Sequence, residues 1–193
     1  IGFVGTDNYA AGYQAGKYLN EHFNGPLHIG IISGNDYGNH MHLRIQGFKD
    51  ALQDRKDTRI VATFTSRINK VEAVHQAFNM LSEHPEINMM FGVSALDGPG
   101  ISAALETYFS DRSVFVIAFD DLPETVELLK DNKIQAIIAQ RPYQMGYLSI
   151  RLMEQALKGR PIPSVHFTES TVVDRYGLDE YLRSKAEKRG AAP

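Results

Sequence analysis

Short, nearly continuous apolar segments alternate along the chain with longer segments whose apolar residues recur at helical spacing. The apolar segments are rich in Ile, Val, Phe or Met and comprise residues 27–33, 60–65, 87–93, 113–119 and 134–139. Segments of this length and composition are typical of strands that are buried on both faces of a sheet. The repeated alternation predicts an α/β fold with a doubly wound, parallel sheet of about five or six strands and right-handed crossovers.

Apolar residues at helical spacing predict the elements that lie between these strands. One predicted helix carries a single apolar stripe, made of Val71, Val74, Phe78 and Leu81. The first predicted helix combines apolar and small residues, so a neighbouring element can pack closely on it: Ala11, Gly12, Ala15, Gly16 and Leu19. A later helix over residues 142–158 has Leu148, Leu152 and Ala156 on one face and ends before Gly159 and Pro161.

Polar residues follow several of the predicted strands at the point where each strand ends. Ser94 and Asp97 come after the strand over residues 87–93, and Asp120 comes directly after the strand over residues 113–119. In doubly wound sheets the carboxyl ends of the strands form the crevice that holds the ligand. Turns and helix caps explain any one of these residues alone, but their joint placement on one edge favours a binding site.

Three polar residues favour a ligand that carries hydroxyl groups. Arg44 lies near the start of a predicted helix and presents a fork of N–H donors to the crevice. Asp120 offers carboxylate oxygens that accept hydrogen bonds from paired hydroxyls, or it caps the next helix. Gln140 follows a buried strand, and its amide both donates and accepts. For each residue an ion pair or a cap remains the structural alternative.

Composition excludes several classes of function. The 193 residues include no cysteine, so disulfides, thiolate metal sites and thiol catalysis are excluded. A formal net charge of −3 gives no electrostatic grip on nucleic acid or on an anionic membrane. No apolar run reaches the length of a membrane-spanning helix, and no nucleophile, phosphate-loop or zinc-protease motif occurs.

His40 and His42 are two residues apart and lie near Asp36, which makes them a candidate pair of metal ligands. Residues two apart face different sides of a helix, and residues 41–52 are predicted to be helical, so no metal site is predicted there. Neither a metal, a cofactor nor an enzyme activity is expected from the residues of this chain.

Five short motifs, in order and at suitable spacing, resemble those of the type I periplasmic sugar-binding proteins of the ribose-binding group. The related regulators of the lac-repressor type share them. The motifs are G-T-D-N-Y at residues 5–9, R-I-Q-G-F at 44–48, F-G-V-S at 91–94, I-A-F-D at 117–120 and K-I-Q-A-I-I-A-Q-R-P-Y-Q-M-G at 133–146. The resemblance extends over nearly the whole chain.

The resemblance implies a two-lobed molecule of which this chain is a fragment that lacks most of the first lobe. The two α/β lobes of the family are joined by three crossovers, and the ligand lies between the lobes. Residues 7–139 correspond to the second lobe, and residues 1–6 and 140–170 to pieces of the first. Residues 171–193 correspond to the final crossover and a C-terminal tail. Asp7 and Gln140 fall at the hinge.

The resemblance also assigns roles to individual residues. Arg44, Asp120 and Gln140 match the sugar-binding arginine, aspartate and hinge glutamine of the family. Sugar-binding members commonly have Asn-Asp where this chain has Ser94 followed by alanine. Asp97 is expected to replace that lost polar contact, so Ser94 and Asp97 join the candidate ligand-binding residues. Near Ile68 the family often has an aromatic residue that stacks on the sugar.

Two functions are compatible with this resemblance. The first is non-catalytic binding of a small polar ligand, a sugar, for ABC-type uptake or extracellular sensing. Its partners would be a membrane permease or a sensor kinase, in the periplasm or outside the cell. The alternative is the effector-binding domain of a cytoplasmic lac-repressor-type regulator, which reaches DNA only through a separate domain. Residues 129–136 resemble the binding-protein pattern more than the repressor pattern, so they favour the first function.

Overall fold

The structure is a computed structural model that describes residues 2–35 and 37–190, so Ile1 and Asp36 lie outside the described residues. Strands and helices alternate through most of the chain. The strands are β1 Phe3–Thr6, β2 Leu27–Ser33, β3 Thr58–Thr65, β4 Met89–Gly92, β5 Phe115–Phe119, β6 Ala136–Ala139, β7 Val165–Thr168 and β8 Thr171–Asp174. The helices are α1 Asn8–His22, α2 Asn39–Ala51, α3 Lys70–Glu83, α4 Asp97–Tyr108, α5 Pro123–Lys130, α6 Pro142–Leu157 and α7 Leu178–Gly190.

Six strands form the main sheet in the order β3-β2-β4-β5-β6-β8. The first five of these run parallel to one another, which confirms the predicted doubly wound α/β sheet. The sixth, β8, pairs antiparallel to β6, with Ala136 opposite Asp174 and Ala139 opposite Thr171. The strand order reverses between β2 and β4, and a crevice opens at such a switch point in open α/β sheets.

Helices cover both faces of this sheet and define two apolar clusters. Helices α1 and α2 pack on one face, around Leu19, Phe48 and Phe119. Helices α3, α4, α5 and α7 contribute apolar residues to the cluster on the other face. Alternate residues of β2 face the two clusters, since Ile31 belongs to one and Ile32 to the other. The central strands are therefore buried on both faces, as the apolar runs predict.

Small residues let α1 and α2 pack with their backbones in contact. A Cβ atom at Gly12 would lie 1.9 Å from the carbonyl oxygen of Arg44, and one at Gly47 would lie 2.1 Å from that of Tyr9. A Cβ atom at Gly16 would lie 2.5 Å from the carbonyl oxygen of Phe48. These distances confirm the prediction of close packing on the small-residue flank of α1. The close approach also fixes the position of α2, which carries Arg44.

A second, smaller sheet stands apart from the main one. Strands β1 and β7 pair in parallel, and α6 contacts β1. No residue of α6 is fully buried, and Leu157 at its end is 89% exposed. Met145, Leu148 and Leu152 are half-buried, so the apolar stripe of this helix is only partly covered. The outer faces of β1 and β7 also expose apolar residues, among them Phe3 and Phe167.

Two details of the predicted pattern are wrong. The buried face of α3 consists of Ala73, Ala77, Met80 and Leu81, whereas Val71 and Phe78 of the predicted stripe are exposed. The small side chain of Ala73 faces α4, which packs closely beside α3: a Cβ atom at Gly100 would lie 2.4 Å from that of Ala73. Strand β3 has no fully buried residue, since it lies at the edge of the sheet rather than inside it.

Candidate functional site

Arg44 lies almost fully buried at the switch point, with 5% of its surface exposed. Its Nε donates a hydrogen bond to Oδ1 of Asn8 at 2.9 Å, and Nη1 donates to the carbonyl oxygen of Val93 at 2.8 Å. The guanidinium carbon lies 4.0 Å from the centre of the Phe119 ring, a stacking cation–π contact. Three elements thus hold the side chain in one orientation.

One nitrogen of this guanidinium is left for a ligand. Among the described residues, none accepts a hydrogen bond from Nη2 of Arg44. Burial lowers the pKa of Arg44, and the nearby charges of Asp120 and Asp97 oppose that effect. An arginine stays protonated despite such a shift, because its unperturbed pKa is so high. The residue therefore presents directed N–H donors and a positive charge in a largely water-excluded place.

Asp120 lies where β5 ends, in a left-handed backbone conformation with φ of +66°. Its amide donates to the carbonyl oxygen of Ile138 at 3.0 Å, and its Oδ1 accepts from Nε2 of Gln140 at 2.6 Å. Within the described part of the chain, nothing donates a hydrogen bond to Oδ2. A non-glycine residue with positive φ is uncommon and tends to occur at functional sites. The Asp120 side chain thus offers a free acceptor beside the donor of Arg44.

Gln140 connects two parts of the site. Its Nε2 donates to Asp120, and its Oε1 accepts a hydrogen bond from Oγ1 of Thr6 at 2.5 Å. Thr6 ends β1 and Gln140 follows β6, so this amide joins the small sheet to the main one. Asp7, the other expected hinge residue, caps α1: its Oδ1 accepts from the amide of Ala10 at 2.9 Å. The hinge role of both residues stays a prediction.

Ser94 and Asp97 are buried where β4 ends and α4 begins. Asp97 is fully buried, and its two oxygens accept from Oγ of Ser66 at 2.5 Å and from the amide of Ser94 at 2.7 Å. Burial raises the pKa of Asp97, although these hydrogen bonds oppose the shift. The carboxylate therefore ties the end of β3 to the end of β4. The contact with a ligand that was expected of Asp97 stays a prediction.

The hydroxyl of Ser94 remains available. Its Oγ is buried beside the carboxylate of Asp97, and it makes no hydrogen bond of acceptable geometry in the structure. A buried hydroxyl without a partner is costly, so a ligand or a water that bonds to it is favoured. Ser94 thus remains a candidate ligand contact, and the carboxylate of Asp97 holds it in place through its backbone amide.

The third connection between the sheets also carries polar contacts. Nη2 of Arg141, in the segment that follows β6, donates to Oγ1 of Thr171, the first residue of β8, at 2.9 Å. Oγ of Ser170 donates to Oε1 of Gln14 on α1 at 3.1 Å. The segments that pass between the two sheets are therefore cross-linked to one another.

Sequence reasoning missed three residues of this site. Asn8 and Phe119 hold the guanidinium of Arg44, and Thr6 bonds to Gln140. Asn8 and Arg44 are 36 positions apart, and Thr6 and Gln140 are 134 apart. Each of the three lies next to a predicted site residue or hinge residue in the sequence, and that adjacency was the one available signal.

Within residues 2–35 and 37–190, no three His, Asp or Glu side chains are placed to hold a metal ion. His40 lies one turn before Arg44 on α2, and its pKa is lowered by burial and by the charge of Arg44. Asp36, which lies near this histidine in the sequence, is outside the described residues.

No helix among the described residues combines the length and the apolarity that crossing a membrane requires.

The loop between β3 and α3 adopts an unusual backbone. Arg67 and Ile68 have φ of +56° and +54°, and Ile68 is exposed. Two consecutive non-glycine residues in the left-handed region, one of them β-branched, are rare. They lie just after Ser66, which bonds to Asp97, so the strained loop borders the crevice.

Comparison with known proteins gives consistent results. A family model described as "Periplasmic binding protein domain" matches residues 1–161. The D-allose-binding periplasmic protein of Escherichia coli K12 is 25% identical over 174 residues, which are 89% of this chain and 56% of that protein.

Two solved structures superpose on most of the chain. GanP, a glucose-galactose binding protein from Geobacillus stearothermophilus, gives a TM-score of 0.89 at 38% identity and covers 92% of this chain. An ABC transporter solute-binding protein from Burkholderia graminis, in complex with D-arabinose, gives 0.88 at 31% identity and covers 93%. This chain covers 64% of each of those two. It therefore spans less than two thirds of these relatives.

Proposed function

This chain belongs to the periplasmic binding protein domain family, and from that premise we propose that it forms the larger part of a receptor for a monosaccharide. The sugar lies between two lobes and undergoes no reaction. The observation that carries this proposal is that an arginine donor and a carboxylate acceptor lie at the same end of the sheet, and that among the described residues neither Nη2 of Arg44 nor Oδ2 of Asp120 has a hydrogen-bond partner. Nη2 of Arg44 and Oδ2 of Asp120 stand on rigidly held side chains at the switch point of the sheet.

The chemistry of the crevice suits vicinal hydroxyl groups. A carboxylate accepts from two adjacent hydroxyls, while a guanidinium donates to the same or neighbouring oxygens. The buried hydroxyl of Ser94, which lies against the carboxylate of Asp97, adds one more polar group at this end of the sheet. Relatives named for glucose and galactose, D-allose and D-arabinose support a pentose or hexose as the ligand.

The division into lobes follows the two sheets. In this proposal residues 7–139 form the second lobe, which holds five strands of the main sheet, and residues 1–6 and 140–170 belong to the first lobe. Residues 171–193 make the last crossover and a tail: β8 joins the main sheet and α7 packs on its apolar cluster. Asp7 and Gln140 stand at the hinge, where Gln140 couples ligand contact to closure.

The location and partner of the receptor follow from the same relatives. We place the protein in the periplasm or outside the cell, where it delivers its sugar to the permease of an ABC transporter. Delivery to a sensor kinase would use the same sugar site. The relatives named above are sugar- or solute-binding proteins, which favours a receptor over an effector domain of a DNA-binding regulator.

The ligand can be identified with the full-length protein that contains this chain. Native mass spectrometry after gentle purification should reveal an added mass equal to one pentose or hexose. A thermal-shift panel of D-glucose, D-galactose, D-ribose, D-allose and D-arabinose should then give a raised melting temperature with at least one sugar. A wild-type protein that shows no added mass and no shift with any of these sugars would refute the proposal.

A further inference from the structure

The C-terminal helix α7 makes polar contacts with the loop that carries Asp120. The next residue, Asp121, accepts hydrogen bonds on Oδ2 from Oη of Tyr181 at 2.6 Å and from Nζ of Lys185. The side chain of Asp121 is 14% exposed and that of Lys185 is 31% exposed. An ion pair so shielded from water is screened less by salt than the exposed pairs on the other helices.

Helix α7 is itself firmly placed. Leu178 is buried, and Tyr181 and Leu182 pack against the same apolar cluster as Val126 and Leu129. Tyr181 and Lys185 are one turn apart on the same face of the helix, so both reach Asp121 from one side. The two donors therefore come from a supported element and not from a loose tail.

The loop that receives these contacts needs restraint. The left-handed backbone of Asp120 is held on one side by the hydrogen bond of its amide to Ile138 and by Gln140. Asp121 is the adjacent residue, and α7 holds it from the other side. Strained conformations persist only where the surroundings over-determine them. With α7 released, Asp121 would lose these two donors, and the left-handed backbone of Asp120 would keep only the hydrogen bonds of its amide to Ile138 and of its carboxylate to Gln140.

We infer that α7 is a positioning element of the ligand site. Tyr181 and Lys185 hold Asp121, and through it they keep the carboxylate of Asp120 directed into the crevice. This inference rests on the proposed role of Asp120 in sugar binding. Because coupling between sites is reciprocal, a bound sugar stabilises the docking of α7 by the same factor as α7 strengthens sugar binding.

The first test compares variants of the full-length protein by calorimetric titration with D-glucose and with D-galactose. The double variant Tyr181→Phe, Lys185→Met should bind about five- to tenfold more weakly than wild type. Arg183→Met, which removes an exposed cation from the same helix without touching Asp121, should bind like wild type. Lys185→Arg should retain most of the affinity, because a cation still reaches the carboxylate. If α7 no longer packs on the main sheet in the double variant, the single variant Tyr181→Phe is titrated in its place, because it keeps the packing of the ring.

The second test needs no sugar. Amide hydrogen exchange should be faster at Asp120 in the double variant than in wild type or in Arg183→Met, whereas β2 and β4 should exchange as before. If no sugar binds the wild-type protein, the proposed function fails, and the exchange at Asp120 decides the positioning role of α7 by itself. Wild-type exchange at Asp120 in the double variant, or wild-type affinity for a sugar that binds, would overturn the inference.

Discussion

The guanidinium of Arg44 makes contacts that stabilise the fold and also presents an N–H donor to the proposed ligand. Nε and Nη1 are bonded to Asn8 and to the Val93 carbonyl, and the plane of the group stacks on Phe119. Only a planar group with several directed donors satisfies these partners and still offers Nη2 to a sugar. A lysine has one ammonium group, which cannot occupy all of these positions.

Arg44→Lys in the full-length protein should therefore weaken sugar binding by at least about tenfold. A hydrogen bond to a charged group contributes about 1.5–3 kcal/mol, and about 1.4 kcal/mol corresponds to a factor of ten in affinity. Calorimetric titration with the sugar that stabilises wild type best is the measurement. Arg59→Lys, a change at an exposed arginine at the start of β3, is the matched control and should leave affinity unchanged. Equal affinities for the two variants would remove Arg44 from the site.

Arg44 was expected at the start of a helix, but it lies in the middle of α2, which begins at Asn39. The positions of Asp120 and Gln140 could be predicted, because each follows a strand at one edge of the sheet. Their partners could not. Whether Asn8 reaches Arg44 depends on how closely α1 and α2 pack, a three-dimensional property that no local pattern contains. The ligand contact expected of Asp97 from its place after β4 stays a prediction, and its burial and its bonds to Ser66 and Ser94 could not be read from the sequence.

At the scale of elements, the contact between α1 and α2 is the one that positions the site. The contact is backbone to backbone at Gly12, where an added Cβ atom would lie 1.9 Å from the carbonyl oxygen of Arg44. Backbone cannot yield as a flexible side chain can, so any larger residue forces the two helices apart. Gly146 on α6 is also a helical glycine but has no atom within 4 Å of an added Cβ.

Gly12→Ala should lower the free energy of unfolding by about 1–3 kcal/mol or more, the range for overpacking. It should also weaken sugar binding, because α2 carries Arg44. Gly146→Ala should raise the free energy of unfolding by up to about 1 kcal/mol, since alanine is the better helix former. Urea unfolding followed by circular dichroism measures both. The account of close packing is wrong if the two variants shift stability in the same direction.

Tyr18 on α1 joins that helix to β8 and gives a pH-dependent contribution to stability. Its hydroxyl lies 3.5 Å from the carbonyl oxygen of Gln135 and 3.4 Å from Oδ2 of Asp174. Burial, and then the charge of Asp174, raise the pKa of Tyr18 to about 12 from 10.0. The folded state thus keeps this proton at a pH where the unfolded chain loses it. The contribution is complete below pH 10 and is lost as the pH rises towards 12.

In Tyr18→Phe the free energy of unfolding should therefore fall less steeply between pH 10 and pH 12 than in wild type. Tyr37→Phe is the control, because Tyr37 is 97% exposed and is not among the groups that raise the pKa of Tyr18. Urea unfolding at a series of pH values measures the slopes. A Tyr18→Phe slope identical to that of wild type would show that the hydroxyl is not protected in the folded state.

The apolar pattern predicts the order and type of the main elements. It does not predict which face of each helix is buried or which strands lie at the edges of the sheet. The stripe Val71, Val74 and Phe78 satisfies helical periodicity, yet close packing of α4 selects the alanine face of α3 instead. The antiparallel direction of β8 depends on the chain returning from the small sheet, which is a matter of topology and not of local composition. Long-range packing decides such features.

At the scale of the whole molecule, the two sheets differ in how well they are covered. The main sheet has apolar clusters on both faces, whereas α6, β1 and β7 expose aromatic and aliphatic side chains. Large exposed apolar patches usually mark an interface. In the proposed receptor this surface belongs to the first lobe, and Gln140 and Arg141 stand where that lobe meets the second.

In the proposed receptor a sugar binds in this crevice and is held by the carboxylate of Asp120. The decisive measurement is calorimetric titration of the full-length protein, in wild type and in Asp120→Asn, with D-glucose, D-galactose, D-ribose, D-allose and D-arabinose. We expect one site per chain for at least one sugar and an affinity at least about tenfold lower in the variant, because the charged acceptor is lost. Equal affinity of both proteins for a sugar, or no binding to wild type, would show that Asp120 does not hold a sugar in this crevice.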